Sequence, residues 1–134
     1  MPVMTIGEVA QRTGLRPSAI RFYEKAGVLP SPVRANGQRR YADTVILRLA
    51  IIGLARKAGF SIAEVRRLFH GFRDGTPPPV RWRKLAGKKI QEMDELIAQA
   101  LGIQQILKKT LRCRCLNLEE CGRRILAKSA ASSC

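Results

Sequence analysis

A chain of 134 residues with 25 Lys and Arg against 10 Asp and Glu has a formal charge of +15, which makes nucleic acid or an acidic surface its natural partner. That length suits one compact domain, or a small domain plus an extension, and with 5% aromatic residues there is no large aromatic core, so dimerisation is expected to supply the missing burial. No apolar run reaches the length of a membrane span and the N-terminus lacks a signal-peptide core; a cytoplasmic protein is expected.

The first elements form a head. Thr5 with Glu8 three residues on has the spacing of a capping box, and Ile6, Val9 and Ala10 follow at helical spacing. Thr13-Gly14 ends that helix, and Pro17 sits where a second begins, its φ preset and its missing donor not needed. The second helix is expected to run to about Ala26, with Ile20 and Phe22 among its inward positions. Two short helices joined by a Gly-containing turn read as a helix-turn-helix, whose second helix enters the major groove. Arg16, Ser18, Arg21 and Tyr23 are then its candidate DNA contacts. From Gly27 to Tyr41 the chain reads as a wing: Leu29-Pro30 and Pro32 break the helix, and Asn36-Gly37 is a strong hairpin signal. The turn carries Arg34, Arg39 and Arg40, expected with Tyr41 to hold phosphates, since such contacts position a protein on the duplex without reading sequence.

The stretch TIGEVAQRTGLRPSAIRFYEKAGVLPSPVRANGQRRY resembles the N-terminal signature of the MerR family of bacterial transcription regulators, and the likeness continues through YADTVILRLAIIGLARKAGFSIAEVRRLF. The R-F-Y-E and R-R-Y elements at this spacing are specific to it. The resemblance implies a homodimer on a palindromic operator inside an overlong promoter spacer, which the effector-bound form bends and untwists so that RNA polymerase engages both promoter elements.

A second helix pair follows. Asp43 or Thr44 caps a run carrying Val45, Ile46, Leu49, Ile52 and Leu54, closed at Ala58-Gly59, where Gly fits a left-handed cap. By analogy with the family, Arg56 and Lys57 near its end are placed against flanking phosphates. Ser61 and Glu64 form another capping box ahead of Ile62, Val65, Leu68 and Phe69, and His70, the single histidine, reads as a surface or cap residue. Pro77-Pro78-Pro79 predicts an extended, stiff connection.

Beyond it, a long helix is expected from about Val80 to Arg112, roughly 50 Å at about 1.5 Å per residue. Ala86, Ile90, Met93, Ile97, Ala100, Leu107 and Leu111, interrupted by Gln104, recur at alternating steps of four and three. That is a heptad seam, expected to pair antiparallel with a second copy. Trp82, Leu85, Leu96 and Ile103 lie off the seam and are expected to face the partner's head.

The last feature is R-C-R-C-L-N-L-E-E-C-G, with Cys113, Cys115 and Cys121, and Cys134 closing the sequence. Three thiols in nine residues of an intracellular protein read as metal-binding or redox-active sooner than as a structural disulfide, and Arg112, Arg114, Arg123 and Arg124 favour thiolate. In the resemblance this is the sensing loop. Cys113 and Cys121 resemble the two-thiolate loop of the copper-efflux regulators, which suits a soft ion such as Cu(I). The C-x-C-x5-C pattern also matches the last three ligands of the SoxR [2Fe-2S] motif, but the fourth would fall on Thr110, leaving Cys134 or an exogenous donor. Zinc, cadmium or lead members use a further cysteine at the start of the dimer helix, where PPPVRW has none. A site with no inorganic effector, its Leu116, Leu118 and Ile125 packing the tail on the dimer, stays open as well.

Catalysis is not indicated: there is no phosphate-binding glycine loop, no nucleophile with a matching histidine and no carboxylate pair, and C-x-x-C beside a βαβ unit is absent. A metal chaperone has no use for the basic head, and an architectural DNA binder has none for the seam and the thiols. The sequence therefore predicts a mostly α protein: a winged helix-turn-helix DNA-binding head over 1–76, a dimerisation helix over 77–112 paired as a long antiparallel coiled coil, and a cysteine-containing effector loop and tail over 113–134. Its expected partners are double-stranded promoter DNA, RNA polymerase and a second copy of itself, with no membrane.

Overall fold

Local chemistry sets each helix start. The Thr5 hydroxyl accepts the Glu8 N–H at 3.2 Å and donates to the Glu8 carboxylate at 3.3 Å, which satisfies one of the orphan donors at a helix N-terminus. In the computed structural model, which describes residues 3–127, the elements run β1 (Val3–Met4), α1 (Ile6–Thr13), α2 (Pro17–Lys25), β2 (Val33–Ala35), β3 (Gln38–Ala42), α3 (Thr44–Lys57), α4 (Ile62–His70), α5 (Pro78–Thr110) and α6 (Leu118–Leu126). The chain divides into two compact units between Lys89 and Ile90, inside α5. No helix among the described residues is long and apolar enough to cross a membrane.

The wing forms as its turn dictates. Asn36 and Gly37 both have positive φ, 53° and 77°, the geometry of a two-residue hairpin turn whose twist matches its strands. It sets the register Val33↔Arg40, Arg34↔Arg39 and Ala35↔Gln38. Strand β1 was not expected, because two residues are too few to show alternation. It pairs with β3 through Val3↔Ala42 and Met4↔Tyr41, giving the sheet order β1-β3-β2.

The core of the first unit gathers Val9, Ile20, Val28, Tyr41, Ile52 and Val65, all fully buried. The full capping box at Ser61 and Glu64 opens α4. The Glu64 carboxylate also accepts from Lys89 Nζ at 2.8 Å, and that ammonium lies 5.5 Å from the Phe60 ring centroid. Burial alone would raise the Glu64 carboxyl, but hydrogen bonds from Lys89 and Ser61 outweigh it and hold the group below its ordinary value.

Two expectations about α5 are corrected. Pro78 and Pro79 are helical rather than extended, because the first turn of a helix needs no N–H donors; Val80 N and Arg81 N then bond to Pro77 O. Trp82 and Leu85 do not await a partner's head: Leu85 is 5% exposed in the core of its own head, where Trp82 and the seam residue Ala86 also pack. The Trp82 and Phe60 rings meet edge-on at 6.0 Å. Arg81 fastens this turn by donating from Nη1 to Leu68 O at 2.9 Å and Phe69 O at 3.0 Å, carbonyls at the end of α4 that the helix itself leaves unpaired. A heptad template assumes a helix that faces only its dimer partner, and the first turns of α5 are part of the head.

In the second unit, α6 was also unforeseen, although Asn117 with Glu120 three residues on has N-cap spacing. The Asn117 side chain accepts the Glu120 N–H at 2.8 Å. Glu119 and Glu120 in its first turn and Arg123 and Arg124 in its last complement the helix dipole.

Candidate nucleic-acid interface and thiol cluster

Helix α2 presents Arg16, Ser18 and Arg21 outward, as the sequence suggests. Phe22 and Tyr23 exchange the places expected of them. Phe22 is 53% exposed and Tyr23 packs on the core, because a residue two places from buried Ile20 lies about 200° around a helix whereas one three places on shares its face. The C-terminal end of α2 is held from α4: Arg66 donates to Ala26 O through Nε at 2.9 Å and through Nη2, and His70 Nε2 lies 3.2 Å from Gly27 O. These contacts join residues 40 and 43 places apart, so no local pattern announces them.

On the wing, alternation along β3 puts Arg39 and Tyr41 on one face and Arg40 on the other. Tyr41, expected at the DNA, is 1% exposed. Its ring fills the core, and its hydroxyl donates to the Glu24 carboxylate on α2. Burial, with the Glu24 hydrogen bond and charge added, pushes the Tyr41 phenol far above its ordinary value, so it stays a neutral donor. The same carboxylate takes Arg39 Nε at 3.5 Å. Arg34 at the hairpin is exposed and donates to Gly37 O at 3.4 Å. Arg40 is half-buried, and its Nη1 is buried with no hydrogen-bond partner among the described residues. A cleft lined by Thr5, Ile6, Arg34, Gly37, Gln38, Arg39 and Arg40 lies between the start of α1 and the wing. Arg56 is exposed but donates to Phe60 O at 3.0 Å, and Lys57 beside it is exposed.

From Ile90 onward the side chains of the expected seam stand open. Ile90, Met93, Ile97, Leu107 and Leu111 are exposed, with Ile97 at 58%, and so are the off-seam Leu96 and Ile103; Ala100 and Gln104 lie exposed among them.

The sulfurs of Cys113, Cys115 and Cys121 lie within 4.8 Å of one another. Cys121 is in the first part of α6 and the other two are in the loop before it. Sequence reading favours Cys113 and Cys121; the fold adds Cys115 on equal terms. Three sulfurs with no fourth donor grouped with them among the described residues suit a soft ion better than a tetrahedral one. Glu120, the nearest carboxylate in sequence, is occupied: it accepts from Leu116 N at 2.9 Å and Arg124 Nη2 at 3.0 Å, and the Leu116 bond leads in holding its carboxyl below the ordinary value. At Cys115 the arginines do not dominate as expected. Desolvation and the neighbouring Cys121 push the Cys115 thiol up, with Arg124 opposing. Thr110, where a fourth cluster ligand would fall, donates its hydroxyl to Leu107 O at 2.6 Å. Cys134 lies outside the described residues. Leu116, Leu118 and Ile125, expected to pack the tail on a dimer, are exposed.

Comparison with known proteins places this architecture. Residues 4–71 match the family described as MerR HTH family regulatory protein, and residues 46–110 match the one described as MerR, DNA binding. The chain is 31% identical over 119 residues to the HTH-type transcriptional activator SoxR homolog of Chromobacterium violaceum, covering 88% of this chain and 80% of that one. It is 34% identical over 97 residues to the HTH-type transcriptional regulator CueR of Salmonella typhi, covering 72% and 70%. Among solved structures, the transcription regulator PbrR691 from Ralstonia metallidurans CH34 in complex with lead(II) shares the fold with a TM-score of 0.74 at 24% identity, over 85% of this chain and 90% of that one. A family match across half the chain, with relatives alike over most of their own length, shows that it belongs to the MerR family of DNA-binding transcription regulators.

Proposed function

We propose that the protein regulates transcription as a homodimer on a palindromic operator within an overlong promoter spacer, alongside RNA polymerase, and that a soft cation held by Cys113, Cys115 and Cys121 is its effector. The observation that carries the dimer is the row of large apolar side chains left open on α5 from Ile90 to Leu111. Contiguous apolar surface of that kind calls for a partner, and a heptad seam supplies a matching one. Each head then lays α2 in the major groove with Ser18 and Arg21 towards base edges, while Arg34 and Arg40 hold phosphates from the wing and Arg56 and Lys57 lie towards the flanks. Replacing Arg21 with Ala relaxes base preference at one position of each half-site at a cost of about 1–3 kcal/mol. Electrophoretic titration against operators mutated base by base measures it, and equal weakening on every sequence refutes base contact.

For the effector, the supporting observation is the meeting of three sulfurs within 4.8 Å. A bound soft cation supplies a positive centre that takes the cysteines as thiolates. Cys115, raised by desolvation, gives up its proton on binding, so affinity falls with acidity. Cys113 serves as a ligand in its reduced, thiolate form. Drawing loop cysteines against Cys121 repositions α6, a differential contact that shifts the dimer between two DNA-bound states. Cys121→Ser abolishes the transcriptional response to Cu(I) and leaves operator binding within about twofold, because the changed atom is confined to the second unit. A variant that still responds removes the cysteines from sensing. Iron and sulfide near one cluster per chain in anaerobically purified protein transfers the role to a redox centre.

A further inference from the structure

We propose that Glu24 is a positioning residue for DNA binding: it keeps Arg39 as the electrostatic partner of the recognition helix, so that the wing meets phosphates through Arg34 and Arg40 and not through Arg39. The inference rests on the reading of the wing as a phosphate-binding element, and three observations carry it further. The Glu24 carboxylate, its side chain only 10% exposed, receives the Tyr41 hydroxyl and Arg39 Nε together, which joins the middle of β3 to the last turn of α2. Register sets Arg34 directly opposite Arg39, a like-charge pair that repels unless compensated; Glu24 supplies the missing negative charge. Arg39 is two-thirds buried, with 32% of its side chain exposed, whereas Arg34 is open at the hairpin.

The consequence is electrostatic and can be counted. A cation already paired with a carboxylate adds no net charge to the face that meets DNA and displaces no counterion when the duplex arrives. Each free cation that neutralises a phosphate steepens the dependence of log K on log salt by about 0.9. Glu24→Gln keeps an oxygen to accept the Tyr41 proton but abolishes the charge, and so releases Arg39 towards the backbone. The released arginine contacts every sequence alike, so E24Q tightens binding to unrelated duplex and to operator by a similar factor.

The test is the salt slope of binding by the full chain to one operator duplex, measured by fluorescence anisotropy. Expected is a slope steeper by about 0.9 per bound protomer in E24Q, the wild-type slope in E24Q/R39Q, and a slope flatter by about 0.9 in R34Q. An unchanged slope in E24Q overturns the proposal. So does a slope in E24Q/R39Q flatter than wild type, which identifies Arg39 as a phosphate contact even while paired. An unchanged slope in R34Q instead overturns the reading of the wing, and the two failures are thereby distinguished. Where E24Q alone does not fold, E24Q/R39Q strands no arginine beside a lost partner, and its slope decides by itself: unchanged supports the proposal, flatter overturns it.

Discussion

Replacing Leu85 with Ala is expected to destabilise the DNA-binding head by about 2–5 kcal/mol, the range for truncating a buried leucine whose surroundings cannot fully collapse. Leu85 belongs by sequence to the long helix, yet only 5% of it is exposed, in the same core as Ile52, Phe60, Val65 and Leu68. Its loss removes packing from that shared core. Against a total stability of about 5–15 kcal/mol for an ordinary domain, that is enough to unfold a substantial fraction of heads and to weaken operator binding without touching any DNA contact. Denaturant unfolding measures it, at fixed protein concentration because assembly shifts apparent stability. Val33→Ala, at an exposed position of the wing, changes stability by only about 0.5 kcal/mol. If Leu85→Ala costs no more than this control, the first turns of α5 do not belong to the head.

Replacing Ile97 with Asp is expected to give a monomer with roughly 10²- to 10⁴-fold weaker operator binding, the advantage that linkage of two reading heads confers. Ile97 is 58% exposed in the single chain, so the substitution is harmless to the folded protomer. In a paired seam the new carboxylate is desolvated without a cation to meet it, which is costly. The two effects are separated by sedimentation, which reads assembly, and by thermal unfolding of the head, which should stay near wild type. An unchanged sedimentation coefficient rules Ile97 out of the interface and points to another face of α5.

Much of this protein is local, and what is local was legible in the chain. Thr5 with Glu8, Ser61 with Glu64, Gly14 after Thr13 and the Asn36-Gly37 turn each act within four residues, so spacing alone places α1, α4 and the wing. The basic surface of α2 follows from residue type, and Cys113, Cys115 and Cys121 are identifiable as a set because they fall within nine residues. Helix α6 is equally local: Asn117 and Glu120, three residues apart, set its start.

Other features depend on parts of the chain that are distant in sequence, and those were decided by packing. Tyr41 and Arg39 look like DNA ligands in a basic hairpin, but both also meet Glu24, which is 17 and 15 residues away on another element. The clamp of Arg66 and His70 on the end of α2 and the tie between Lys89 and Glu64 join positions 25 to 43 residues apart. Leu85 satisfies both a solvent-facing helix and a core, and only the assembled core of the head chooses between them. By itself, then, the sequence determined the helix starts, the hairpin turn, the basic face and the thiol set, because each is settled by short-range hydrogen bonding, backbone preference and charge. The tertiary structure decided which arginines and tyrosines remain available to a ligand and where the head ends along α5, because burial and ion pairing are properties of surfaces that exist only once the chain has folded.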